Sequence, residues 1–307
     1  MTEGCKHALG LEDTDLGRGI RPNHIGARVK RIEDWRLLTG EGAFIDDRIV
    51  PSALHVAFRR SDHPHAVISR IDTASADAMP GVIGVYTARE FDGLIEPLHA
   101  TSRMPDYHWT ALYPLAREKV RYVGEPVAAV VAESRYHAED ALDRIEIAYE
   151  PLDALVDPER AASEGAPLLH EEAGTNILAA REFARGDLAA VIAAAAVRIG
   201  GRFRFRRKTP VPLEPRACLA EYDRGRRLLT LTASTQIPGI LRDVLADLLK
   251  MPGHSVRVIA PDVGGGFGGK ASLYPEEIVV SMLAPPWPGG ALERQSARGP
   301  HLDDTRV

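Results

Sequence analysis

Val256-Arg257-Val258-Ile259-Ala260-Pro261-Asp262-Val263 runs directly into Gly264-Gly265-Gly266-Phe267-Gly268-Gly269-Lys270. The β-branched alternation predicts a strand, and the strand empties into five glycines interrupted by one aromatic side chain. Each glycine forfeits roughly 0.5–1 kcal/mol of folding free energy relative to alanine, so five together are costly. A plain surface turn needs one or two. Five point to a main chain that must approach something closely, with its N–H groups turned toward an anion or an oxo group.

The run satisfies G-x-G-x-x-G from Gly264 to Gly269 and G-x-x-x-x-G-K from Gly264 to Lys270. The phosphate loop fails at its last position, where Ala271 stands in place of the magnesium-binding Ser or Thr. A dinucleotide fold needs an acidic residue about 20 positions on, but residues 284–290 read Ala-Pro-Pro-Trp-Pro-Gly-Gly, and Pro275 sits where the phosphate-binding helix should form. Spacing alone leaves open a nucleotide loop, a structural glycine turn and a loop for a different anionic cofactor.

Working outward, Pro238 to Met251 places Ile240, Leu241, Val244, Leu245, Leu248 and Leu249 at three- and four-residue steps, an amphipathic helix closed by Pro252-Gly253. Before it, Leu228 to Ala233 is a strand ending at Ser234-Thr235-Gln236, and Leu213-Glu214-Pro215-Arg216 leads into another at Ala217 to Tyr222. If the strands before Gln236 and before Gly264 are neighbours in one sheet, the glutamine and the glycine loop converge on one crevice.

These three motifs, in this order, resemble the molybdenum-binding large subunit of the molybdenum hydroxylases, the group of xanthine dehydrogenase, aldehyde oxidase and aerobic carbon monoxide dehydrogenase. The resemblance implies a molybdenum–molybdopterin cofactor, in its cytosine dinucleotide form for a bacterial chain. It implies that Gln236 hydrogen-bonds an oxo ligand of the metal. Gly265, Gly266, Phe267 and Gly268 match the loop packed against metal and pterin, with Phe267 as a wall that keeps the site dry. No residue ligates the metal directly. No catalytic residue is assigned, because the family's glutamate base lies beyond this chain. Ala271 stands where some members carry a glutamate near the substrate, and Arg207-Lys208-Thr209-Pro210 where many have histidine and small residues, which leaves the substrate class open.

Toward the N-terminus, strands are expected at Ala53 to Phe58, Ala66 to Ile71 and Gly81 to Tyr86, with a short alanine-rich helix between Asp72 and Met79. The apolar run Val127 to Ala132 predicts a buried strand, Arg135 to about Arg144 a helix capped by Ser134, and Ile145 to Glu150 a strand. This part, with its Val123-Gly124-Glu125-Pro126-Val127 segment, resembles the a/b hammerhead domain that opens the family's large subunit. Residues 1–25 read as a flexible lead-in, 26–161 as the a/b hammerhead domain, 162–175 as a linker, 176–284 as a partial molybdopterin-binding domain, and 285–307 as a non-native, disordered tail. The fold class is α+β, an a/b hammerhead followed by the first part of a mixed α/β domain. Asp187 caps a helix to about Val197, and Ile199 to Lys208 alternates phenylalanines with arginines as a strand with one solvated face. Glu276 and Glu277 read as first-turn acids favourable to a helix dipole.

Composition sets the remaining bounds. A net charge of −5 without a basic block argues against nucleic acid as a partner. No apolar run approaches the ~18 residues that span a bilayer, and Met1 to Ile20 lacks a signal-peptide core, so a cytoplasmic address is expected. Cys5 and Cys218 are too few for an iron–sulfur cluster. Any electrons must leave through other polypeptides: the resemblance implies an iron–sulfur small subunit and an FAD-binding medium subunit, in a homodimer of heterotrimers acting on a small molecule. His63, His65, His99, His108 and Trp109 read as loop or strand residues rather than metal ligands. Two other functions compete: a nucleotide-binding protein using Gly264 to Lys270, and a non-catalytic remnant of the large subunit.

Overall fold

In a computed structural model, residues 29–51, 53–99, 104, 106–284 and 298–303 are described. The lead-in expected at 1–25 lies outside them. The described residues fall into two compact units, divided between Ala43 and Phe44. The described part of the first contains the short helix α1 (Asp34–Leu38), which buries no residue.

In the second unit, β1 (Leu54–Arg60), β2 (Ala66–Asp72), the one-turn helix α2 (Ala74–Asp77) and β3 (Val82–Thr87) follow in order. After β3, the two-residue strands β4 (Leu98–His99) and β5 (Ala111–Leu112) pair with each other, before β6 (Lys119–Val120). β7 (Pro126–Ala132) is buried at every position, as its unbroken apolar run requires, and lies between β1 and β3. Ser134 Oγ accepts the His137 N–H to cap α3 (Arg135–Leu142), whose Ala138 and Ala141 pack toward β1 and β7. β8 (Glu146–Pro151) leaves that sheet and joins β2 and β6 in a three-stranded one.

Helices α4 (Pro158–Ala161) and α5 (Leu188–Ala194) are short and bury nothing. β9 (Ala217–Asp223) and β10 (Leu228–Ala233) form an antiparallel pair, and α6 (Pro238–Leu248) connects β10 to β11 (Val256–Ile259). α6 starts on Pro238, whose missing N–H costs nothing at a first turn. It ends earlier than its periodicity suggested. Lys250, with φ +52°, turns the chain left-handed, and the Lys250 and Met251 N–H groups close back on Asp247 and Ala246. α7 (Pro275–Leu283) follows the glycine loop and is buried along its entire length. β12 (Arg298–Asp303) completes a seven-stranded sheet of order β11-β10-β9-β12-β1-β7-β3.

One core cluster draws on both halves, with Val56, Phe58 and Val131 from the first and Cys218, Leu229, Leu241, Ile278 and Met282 from the second. Cys218 lies buried in β9, outside any disulfide.

Two expectations are revised. Residues 199–208 form no strand, and Phe203 and Phe205 stand 85% and 88% exposed. Alternation supplies two faces but not a ladder, and among the described residues this segment pairs with no strand. Of the tail expected to be disordered, residues 285–297 and 304–307 lie outside the described set, whereas 298–303 form β12 between β1 and β9.

Candidate cofactor site

β10 and β11 are parallel neighbours, with Leu229 opposite Val256 and Thr232 opposite Ile259. Parallel pairing with α6 as the crossover brings both strand ends to one edge, so Gln236 and the glycine loop meet there. The Gln236 N–H donates to the Lys270 carbonyl at 2.9 Å. Its side-chain Oε1 accepts from the Gly268 N–H at 3.0 Å and the Lys270 N–H at 3.4 Å. Thr235 Oγ1 donates to the same Lys270 carbonyl at 3.3 Å. The convergence expected from the strand order is present.

Several glycines are required by space. A Cβ on Gly266 would stand 2.5 Å from Gln236 Oε1, and one on Gly264 would stand 2.5 Å from the Glu214 Cβ. Gly265 and Gly268 take φ of +99° and +89°, which L side chains rarely adopt. Phe267 between them also turns left-handed, at φ +48°, with 78% of its surface exposed. An exposed aromatic held in that conformation is a local strain of about 1–3 kcal/mol, of the kind that clusters at ligand clamps.

The loop's hydrogen bonds sort its donors into two sets. Gly264, Gly268, Gly269, Lys270 and Ala271 each give their N–H to an acceptor within the site. Among the described residues none accepts from the N–H groups of Gly265, Gly266 or Phe267. With Gln236 Oε1 committed to the loop, its amide nitrogen is the end left for a ligand. Three main-chain donors and one neutral amide donor thus share one bend. This donor set suits an oxo-bearing, anionic group, because it stabilises charge without supplying a countercharge of its own. The molybdopterin cofactor fits that description.

Beneath the bend, Glu214 Oε2 accepts three hydrogen bonds at 2.7 Å each, from Ser234 Oγ, the Gly264 N–H and Lys270 Nζ. The Lys270 side chain is completely buried. A phosphate cradle needs its lysine free to reach the ligand; this one points inward and is held by a carboxylate. That geometry argues against the nucleotide-binding reading.

Behind the loop, Tyr274 Oη donates to the Gly269 carbonyl at 2.6 Å. The Tyr274 N–H donates to Glu277 at 2.9 Å at the head of α7. The two acids stand in the first turn of α7, as expected, and both are buried within the fold. Glu276 is gripped by Arg60 at 2.7 Å and Arg216 at 3.2 Å, and the Arg216 guanidinium lies over the Tyr274 ring at 3.8 Å. Burial pushes the Glu276 carboxyl up, but Arg216 and Arg60 outweigh it and hold the group below the usual carboxylate range. Glu277 has no such grip, and burial pushes it up to about 7.

The structure therefore brings Gln236, Gly265, Gly266, Phe267 and Gly268 together. No set of three His, Cys, Asp or Glu side chains among the described residues could hold a metal ion. His99 and Trp109 stack edge to face on each other, with ring centroids 4.4 Å apart. A groove of 1380 Å³ is lined in part by His99, Trp109, Arg121, His170 and Phe205, and neither Gln236 nor any loop residue borders it. Glu214, Lys270, Arg60 and Glu276 were not identified from sequence. For Glu214 and Lys270 a signal existed: a charge on each of two motifs already paired by the resemblance. For Arg60 none did.

Comparison with known proteins agrees with this architecture. Residues 39–153 match the aldehyde oxidase and xanthine dehydrogenase a/b hammerhead domain, and residues 169–286 the molybdopterin cofactor-binding domain. The carbon monoxide dehydrogenase large chain of Afipia carboxidovorans is 38% identical over 277 residues, covering 86% of this chain and 34% of that one. The nicotine 6-hydroxylase large subunit of Paenarthrobacter nicotinovorans is 38% identical over 265 residues, covering 86% and 32%. Quinoline 2-oxidoreductase from Pseudomonas putida 86 superposes with a TM-score of 0.81 at 38% identity, covering 89% of this chain and 34% of that one. The chain spans about a third of the length of these relatives. No helix among the described residues is long and apolar enough to cross a membrane. Hammerhead and cofactor-binding domain stand here in the order, and on the fold, of the molybdenum hydroxylase large subunits, and this chain belongs to that family of oxidoreductases.

Proposed function

We propose that this chain forms the first part of the cofactor cradle in the large subunit of a molybdenum hydroxylase. Such an enzyme oxidises an aldehyde, an N-heteroaromatic or a similar small molecule. When bound, the molybdenum–molybdopterin group, in its cytosine dinucleotide form, supplies two-electron oxidation of a substrate carbon with oxygen from water. Gln236 would donate its amide N–H to an oxo ligand of the metal. The N–H groups of Gly265, Gly266 and Phe267 would face the anionic group, and the Phe267 ring would exclude water. Gly268 keeps the glutamine turned the right way by donating to its Oε1. The observation that carries this reading is the set of uncommitted neutral donors on one bend, with the loop's only lysine withdrawn below it.

Electrons would pass to an iron–sulfur small subunit and an FAD-binding medium subunit, in a homodimer of heterotrimers. The acid and base beneath the bend, Glu214 and Lys270, are committed to each other, so the 307-residue chain alone is expected to turn over no substrate.

The test is cofactor capture. Purified protein is mixed with molybdopterin, passed through a desalting column, and assayed for molybdenum and for the fluorescence of the oxidised pterin. Wild-type protein should retain both, and Gln236→Ala should retain at least tenfold less. Wild-type protein that retains no pterin would overturn the reading and leave a non-catalytic remnant as the better description.

A further inference from the structure

We infer that Arg60 is a positioning residue for the glycine loop, acting from the hammerhead domain through Glu276 and Tyr274. The inference deepens the cofactor reading and rests on it only for the ligand's identity.

Arg60 is the last residue of β1, and the register against β7 slips there: Arg59 lies opposite Ala128, but Arg60 lies opposite Pro126. Such a slip re-aims the side chain that follows it. The guanidinium donates to the Gly124 carbonyl at 3.1 Å on one side and to Glu276 on the other. Arg60 thus ties the Gly124-Glu125-Pro126 turn of the hammerhead to the first turn of α7.

From Glu276 the contacts continue without a gap. Its second oxygen accepts from Arg216, the Arg216 plane carries the Tyr274 ring, and Tyr274 Oη holds the Gly269 carbonyl. Gly269 in turn donates to the Gly266 carbonyl at 2.7 Å, which closes the bend whose N–H groups face outward. Glu276 is 2% exposed, so it cannot exchange its arginine partners for water. A fully buried α7 has little freedom to move except as a body with that ion cluster. The loop itself is glycine-rich and would be loose without an outside brace.

Amide hydrogen exchange on the 307-residue chain, without cofactor, tests the brace. Tyr274→Phe keeps the ring over Arg216 and removes only the bond to Gly269. It should speed exchange at Gly268, Gly269 and Lys270 by roughly 3- to 10-fold, the worth of one hydrogen bond, and leave α6 unchanged. Arg60→Met should speed the same amides at least as much, and Arg60→Lys, which keeps the charge beside Glu276, should restore part of the protection. The Arg60→Met/Tyr274→Phe double variant should be no faster at the loop than Arg60→Met alone, because both act along one chain of contacts. Loop exchange unchanged in Tyr274→Phe, or loop effects of the two substitutions that simply add, would overturn the inference. If Arg60→Met does not fold, Arg60→Lys and Tyr274→Phe decide it by the same readout. Failure of wild-type protein to capture molybdopterin would remove the cofactor reading, whereas the exchange pattern would still judge the brace.

Discussion

Glu214 and Lys270, 56 positions apart in sequence, meet at 2.7 Å beneath the glycine bend, with the lysine side chain wholly out of solvent. The pair fastens the two ends of the motif together, since the same carboxylate oxygen also holds Gly264 and Ser234. Removing one partner of a buried pair strands the other charge. Glu214→Ala should therefore cost roughly 3–5 kcal/mol in urea denaturation. The double variant Glu214→Gln/Lys270→Met, which strands no charge, should cost clearly less. A loss below about 1 kcal/mol for Glu214→Ala would mean that the lysine finds water or another acceptor.

Gly266 sets a sharper constraint, and a purely steric one. Its missing Cβ is the space occupied by the Gln236 carboxamide. Gly266→Ala should displace that amide, break its bond from Gly268 and destabilise the chain by roughly 1–3 kcal/mol. Capture of molybdopterin should fall with it. An alanine variant that matches wild type in both thermal midpoint and pterin retention would place the glutamine elsewhere.

Acidity separates the two buried acids of α7. Burial raises Glu277 from 4.5 to about 7, against the opposing pull of the Tyr274 N–H and Arg216. Between those two values the folded chain keeps a proton that the unfolded chain has released. Stability from this group is thus full at low pH and declines as pH rises through about 4.5 to 7, by up to roughly 3 kcal/mol, then levels off. Glu276 works in the opposite sense: its contribution is present above the ordinary carboxylate range and is lost as pH falls below it. Urea midpoints measured from about pH 5 to 8 should slope downward in wild type and flatten in Glu277→Gln. An equal slope in both would show that Glu277 ionises freely inside the fold.

The parts of the site that are local in sequence were legible in sequence. The β10–α6–β11 unit announced itself by period, and the run of glycines by composition, so the meeting of Gln236 with residues 264–270 could be expected before any coordinates. The support for that meeting could not. Arg60, Arg216 and Glu276 are drawn from three distant segments, and a buried ion cluster leaves no periodic trace in any of them. Glu276 and Glu277 could be read as first-turn acids, but their burial could not, because a charged side chain is rarely buried and its partners lie far off in sequence. The failure at 199–208 has another cause. Alternation of Phe and Arg is a real strand signal, but a strand exists only with a neighbour, and sequence does not say whether one is at hand.

Lys250 offers a test of local backbone strain remote from the site. It closes α6 in the left-handed region, where a side chain costs about 1 kcal/mol relative to glycine, and its contact with Glu96 at 3.3 Å is exposed and weak. Lys250→Gly should stabilise the chain by about 0.5–1 kcal/mol in thermal or urea denaturation. A destabilised variant would show that the exposed ion pair outweighs the backbone term.

The extended stretch from Arg198 to Lys208 also decides how this molecule breaks. Six basic side chains stand there on an exposed backbone without a ladder, so trypsin should cut first between Arg198 and Lys208. Yet the sequence on either side of the cut contributes to one shared interior, with Phe58 and Val131 packed in the same cluster as Leu229 and Ile278. The nicked protein should therefore run as two bands under denaturing conditions and elute as a single species under native ones: a severed chain that has not come apart.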